Sequence, residues 1–85
     1  MEDFMKRIVV NPKVMVGKPV IRGTRITVDA VLGRLAEGWT IEEILEDFPH
    51  ITKEDVRAAI RYAESIVRGE LIVPMIKGKY EIRRG

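Results

Sequence analysis

The chain has 85 residues, 46% hydrophobic and 33% charged, with 15 basic and 13 acidic side chains and a formal net charge of +2. That length predicts one domain with a small core, and the apolar content excludes compositional disorder. The absence of cysteine excludes disulfides, thiolate zinc sites and cysteine nucleophiles, and so slight a charge does not by itself demand a nucleic-acid partner.

Glu2, Asp3, Lys6 and Arg7 make the first seven residues a charged segment, and the apolar run behind it stops at Val10. No secretory signal is predicted, and no apolar stretch approaches a membrane span. A cytoplasmic protein without a membrane partner is expected. Asn11 is the only asparagine and glutamine is absent, while Ile, Val, Glu, Lys and Arg abound. Depletion of thermolabile residues alongside charge enrichment points to a thermophilic prokaryote.

Ile8-Val9-Val10 is predicted as a short strand, ended by the turn dipeptide Asn11-Pro12. Lys13 to Val16 is expected to pair back on it. The block Gly17-Lys18-Pro19-Val20-Ile21-Arg22-Gly23-Thr24-Arg25-Ile26-Thr27-Val28 reads as a strand, a Gly-Thr-Arg turn and a second short strand that meets a helix start. Gly23 supplies backbone freedom at the reversal, Pro19 suits the first residue of a strand, and Arg22 and Arg25 flank the turn and point to solvent.

A first helix is predicted from Thr27 or Val28. Val28, Val31, Leu32 and Leu35 follow the helical stripe, and Gly38 fits the left-handed position past its end. A second helix starts at Thr40, with Glu43 as capping-box partner and Trp39 and Ile44 as hydrophobic staple; Pro49 stops it. The third repeats the device with Thr52, Asp55, Ile51 and Val56. Its inward face is expected to be Val56, Ala59, Ile60, Ala63 and Val67. Three short helices joined by tight turns predict a mainly α fold. It is a three-helix bundle whose second and third helices have helix-turn-helix lengths, preceded by short N-terminal β-strands.

The outward face of the third helix carries Lys53, Arg57, Arg61 and Arg68, long basic side chains of the kind that reach phosphates and base edges. Glu54 and Glu64 lie within a turn of the arginines and are placed to pair with them. The residues alone leave both readings open, a DNA-reading helix and a solvated face of mixed charge.

Catalytic chemistry finds no footing. His50 is the only histidine and Ser65 the only serine. Gly17-Lys18 lacks the upstream glycine of a phosphate-binding loop. Glu42, Glu43, Glu46 and Asp47 read as a solvated helix face that works against approach to DNA. No catalytic, cofactor or metal residues are expected, and an enzyme is not.

After Gly69 come the aliphatic run Leu71-Ile72-Val73-Pro74-Met75-Ile76, a Lys77-Gly78-Lys79 turn and a short strand Tyr80-Glu81-Ile82. This basic segment is either a hairpin folded on the domain or an arm that docks on another protein. The expected organisation is therefore a strand segment over 1–27, a helical domain over 28–68 and a tail or hairpin over 69–85.

The block from Gly17 to Val28 closely resembles the family known as domain of unknown function 433. Gly38, Thr40, Glu42-Glu43-Ile44, Phe48-Pro49, Thr52-Lys53-Glu54-Asp55-Val56 and Ala58-Ala59-Ile60 support the resemblance, which covers roughly Arg7 to Val67. It implies a small prokaryotic protein with a homeodomain-like helical domain preceded by short strands. Members of that family often look like VapB-type antitoxins encoded beside a PIN-like ribonuclease toxin. The implied function is a type II antitoxin that neutralises such a toxin and binds its own operator DNA as a dimer. Lys53, Arg57, Arg61, Arg22 and Arg25 would contact DNA. Leu71, Ile72, Val73, Met75, Ile76 and Tyr80 would anchor the toxin, with Arg83 and Arg84 entering its acidic site. The alternatives are a protein-interaction module without DNA affinity and a stand-alone transcriptional regulator. The apolar strands Ile8, Val9, Val10, Val20, Ile21 and Ile26 are expected to exceed what one helical layer can cover, which predicts a homodimer with strands side by side.

Overall fold

The structure is a computed structural model and describes residues 6–13 and 15–69. Two short strands, β1 (Ile8–Val10) and β2 (Pro19–Ile21), precede three helices, α1 (Val28–Ala36), α2 (Ile41–Asp47) and α3 (Lys53–Arg68). β1 and β2 pair antiparallel, with Ile8 opposite Ile21, Val9 opposite Val20 and Val10 opposite Pro19. The Arg22 N–H donates to the Arg7 carbonyl at 2.8 Å, and the Ile21 N–H turns the other way, to the Ile26 carbonyl at 2.9 Å. Alternate residues of an antiparallel strand face opposite edges. Pro19 and Ile21 therefore face away from β1, and the missing proline N–H costs that ladder nothing. The second strand expected after the Gly-Thr-Arg turn is a single bridge between Val20 and Thr27.

Of the stretch expected to pair back, the described residues Lys13, Met15 and Val16 do not. The Asn11 side chain accepts the Lys13 N–H at 2.9 Å. Met15, Val16 and Gly17 then form a short 3-10 turn with φ of +51°, +56° and +82°. Three successive left-handed residues reverse the chain before β2 and leave no extended backbone for a ladder.

The helix starts are as the sequence predicts. Thr27 accepts the Ala30 N–H and caps α1. Thr40 with Glu43 and Thr52 with Asp55 close capping boxes on α2 and α3. Gly38 and Gly69 take the left-handed region past α1 and α3, at φ +98° and +83°. Pro49 follows Phe48, the C-cap of α2, and the Ile51 N–H returns to the Phe48 carbonyl.

The core lies between the inner face of the sheet and the three helices. Ile8, Ile21, Val28, Val31, Ile44, Ile51, Val56, Ala58, Ala59 and Tyr62 form it, and Leu32, Leu35, Trp39 and Phe48 pack against it. Burial of side chains such as Val31 and Ile44 contributes about 1.5–3 kcal/mol each. The inward face of α3 differs from the expected stripe. Asp55, Val56, Ala58, Ala59, Tyr62 and Ser65 are buried, while Ile60 is exposed and Val67 is 88% exposed. The buried side is rotated by about 100°, one residue step. Polar side chains can face inward there because they are satisfied: Ser65 Oγ donates to the Arg61 carbonyl at 2.8 Å.

The strands are also covered better than expected. Ile8, Val20 and Ile21 are buried within one protomer, and Val9, Val10 and Ile26 are half-buried. Among the described residues, the large exposed apolar side chains sit instead on the 3-10 turn and on α3 at Ile60, Ile66 and Val67. No helix among the described residues is long and apolar enough to cross a membrane.

Candidate nucleic-acid interface

The outer face of α3 begins at the Thr52 capping box. Thr52 Oγ1 accepts the Asp55 N–H at 3.2 Å, and Asp55 Oδ2 accepts the Thr52 N–H at 2.9 Å. This fixes where the helix starts, and so fixes which residues face outward. Lys53, Arg57, Arg61 and Arg68 fall on one side at helical spacing, and all are exposed.

The acids of α3 are largely accounted for. Asp55 is buried and takes the Arg7 guanidinium on its other oxygen at 3.0 Å. Glu64 pairs with Arg68, one turn on, rather than with the arginines nearer the start of the helix. Glu54 is exposed.

Arg22 and Arg25 stand on the turn after β2, and both are exposed. The Thr24 N–H donates to the Ile21 carbonyl at 3.0 Å across Arg22 and Gly23. Gly23, at φ +81°, meets the positive φ that a type II turn requires at its third position. Thr24 Oγ1 donates to the Ile21 carbonyl at 2.7 Å and accepts the Ile26 N–H at 3.0 Å, which stiffens the turn. Arg22 bonds through its backbone to Arg7, and Arg7 reaches Asp55 in the first turn of α3. Arg7 thus ties the arginine-bearing turn to the end of α3 that holds Lys53. A shallow concavity lined by Val9, Val20, Arg22, Thr24 and Arg25 lies beside that turn.

Two arginines that the sequence does not single out join the elements to one another. Arg7 is one. Arg34 is the other: its Nε and Nη2 grip Asp47 of α2 at 3.1 and 2.8 Å, and its Nη1 donates to the Ala30 carbonyl. The same guanidinium lies over the Phe48 ring at 4.4 Å and over the Trp39 ring at 5.2 Å. Their carboxylate partners lie 48 and 13 positions away, beyond the reach of a local pattern.

α2 is the electrostatic opposite of α3. Glu42, Glu43, Glu46 and Asp47 are exposed, and Glu37, Trp39, Glu43, Glu46 and Asp47 line a second shallow concavity. That surface repels phosphate. Asp29 in the first turn of α1 has its pKa lowered, first by a hydrogen bond from Thr27 and then by the charge of Lys18, 3.7 Å away. Burial raises the pKa of the Tyr62 phenol.

The side chains expected to hold a toxin, Leu71, Ile72, Val73, Met75, Ile76, Tyr80, Arg83 and Arg84, lie outside the described residues.

The profile of the family described as "Protein of unknown function (DUF433)" matches residues 8–63. An uncharacterised protein of Sinorhizobium fredii, y4eO, is 40% identical over 55 residues, which are 65% of this chain and 25% of that one. An uncharacterised protein of Archaeoglobus fulgidus is 77% identical over 26 residues, 31% of this chain and 72% of that one. The crystal structure of a DUF433 member from Anabaena variabilis aligns with a TM-score of 0.69 at 33% identity, covering 75% of this chain and 63% of that one. The chain therefore spans a quarter of the Sinorhizobium protein and less than two thirds of the Anabaena chain.

Proposed function

We propose, for a chain that belongs to the DUF433 family, a DNA-binding antitoxin that lays the outer face of α3 on its own operator as a dimer. The observation that carries this reading is the row of exposed Lys53, Arg57 and Arg61, beside which Asp55 and Glu64 are engaged by Arg7 and Arg68. Arg22 and Arg25, tied to the same end of α3 through Arg7, supply phosphate contacts. The segment after Gly69 holds a PIN-like ribonuclease toxin. Its aliphatic residues Leu71 to Ile76 act as anchor, and Arg83 and Arg84 act as counter-charges to an acidic metal site.

A gel shift with the protein's own promoter fragment tests the DNA half of the reading. Arg57→Ala and Arg61→Ala each weaken binding by about 1–3 kcal/mol if they reach bases, and binding falls steeply with salt. No shift at low salt overturns it. Truncation after Gly69 tests the toxin half: the helical domain keeps its fold and loses neutralisation.

The exposed carboxylates of α2 favour a second reading, a protein-interaction module that presents this acidic face to a basic partner and does not bind DNA.

A further inference from the structure

We propose that the outer edge of β1 is the docking surface for a second copy of this chain, with Ile8–Val10 pairing antiparallel to itself about a two-fold axis at Val9. This deepens the dimer of the reading above and rests on it only for the presence of two copies. It does not depend on DNA binding.

The argument starts from the register. Arg7 bonds to Arg22 on the β2 side, so Arg7 and Val9 direct their backbone groups toward β2. Ile8 and Val10 then direct theirs to the opposite edge. Neither makes a hydrogen bond across that edge to any described residue. β2 has no such opening, because its far side is closed by the Val20–Thr27 bridge and the Ile21–Ile26 bond. Among the described residues, β1 therefore presents the one unpaired edge of the sheet, two N–H and two C=O groups in a row. An unpaired edge of this kind is a template for another strand.

The edge is complementary to itself. A two-fold axis at Val9 sets Ile8 opposite Val10 of the copy and Val10 opposite its Ile8. Each pair exchanges two N–H···O bonds, so all four groups of each edge are satisfied. Shifting the axis to Ile8 or Val10 leaves half of these groups unpaired. The axis at Val9 also brings the two Val9 side chains together as a non-hydrogen-bonded pair, the closest kind of cross-strand neighbour. Val9 is half-buried on the sheet face it shares with Val20, so this contact extends apolar surface already in place. A two-fold contact closes on itself and stops at two copies.

Sedimentation of the full chain with a paired charge exchange tests the proposal. The wild-type protein is expected at twice its monomer mass of 9.7 kDa. Val9→Lys and Val9→Glu each set like charges against each other across the axis. Both are expected to sediment as monomers with unchanged helical circular dichroism, and their equimolar mixture to recover the dimer. Val10→Pro, which removes an outward N–H that β2 does not use, is expected to weaken the dimer at least tenfold. A monomeric wild type, dimers that persist in both Val9 variants, or a mixture that stays monomeric each overturn the proposal. Promoter binding is read in parallel. A dimer that gives no shift upholds the interface and overturns the DNA reading, whereas a shift given by a monomer overturns the interface alone.

Discussion

The Arg7 guanidinium lies 3.0 Å from the Asp55 carboxylate and clasps the residue before the first strand to the first turn of the last helix. Asp55 serves two masters, since its second oxygen accepts the Thr52 N–H that opens α3. Both side chains are mostly shielded from water, so the pair has partners on both sides and little competing solvent.

Removing either member should cost more than a surface pair does. Asp55→Ala loses the side-chain half of the capping box together with the Arg7 ion pair, a loss of about 2–4 kcal/mol. Arg7→Ala keeps the capping box and should cost about 1–2 kcal/mol. Urea unfolding of the two single variants and the double variant gives the coupling, expected near 1 kcal/mol. Strictly additive losses would show that the two side chains do not act together.

Arg34 joins α1 to α2 by a two-pronged grip on Asp47 and by lying over Phe48 and Trp39. A lysine keeps the charge but has neither the fork nor the flat face. Arg34→Lys should therefore destabilise by about 1–2 kcal/mol, recovering little of the loss in Arg34→Ala. Thermal melts of both variants check this, and a lysine variant as stable as the parent would refute it.

Tyr62 is buried, and burial raises its pKa above the ordinary phenol value. The folded state favours the neutral form. The stabilisation is complete below the unfolded phenol pKa of about 10 and is lost as pH rises through the higher folded value. Absorbance at 295 nm of a Tyr80→Phe variant isolates this phenol. Its midpoint should lie above that of the urea-unfolded chain, with stability falling over the same range.

Val16 stands 95% exposed in a left-handed conformation that β-branched residues avoid. It contributes no core contact to offset that strain. Asparagine tolerates the conformation, so Val16→Asn should stabilise by about 1 kcal/mol in chemical unfolding. A loss of stability would mean that the valine is held there by packing.

The parts of the fold legible in the sequence are those set by neighbours three or four residues apart. Thr40 with Glu43 and Thr52 with Asp55 fix two helix starts without reference to the rest of the chain. The inward face of α3 was not legible in the same way. An apolar stripe through Ile60 and Val67 looks like a core face, yet the helix buries Asp55, Tyr62 and Ser65, and the Arg7 that engages Asp55 comes from 48 positions away. Of the candidate interface, the spacing of Lys53, Arg57 and Arg61 could be read directly. Its attachment to the arginine turn could not, because that depends on Arg7 and a partner 48 positions away.

That separation bears on the order in which the molecule assembles. The capped starts of α2 and α3 close loops of three residues, whereas the Arg7–Asp55 clasp must bring together the ends of a loop more than ten times longer. Loop entropy grows with the logarithm of length, and distant contacts slow folding. The helices should therefore gather first and the two-stranded sheet should seat last. In the native state the same hierarchy runs backwards. Amide protons of β1 and β2 should exchange through an opening that releases the clasp, while those in the middle of α3 exchange only when the whole chain unfolds.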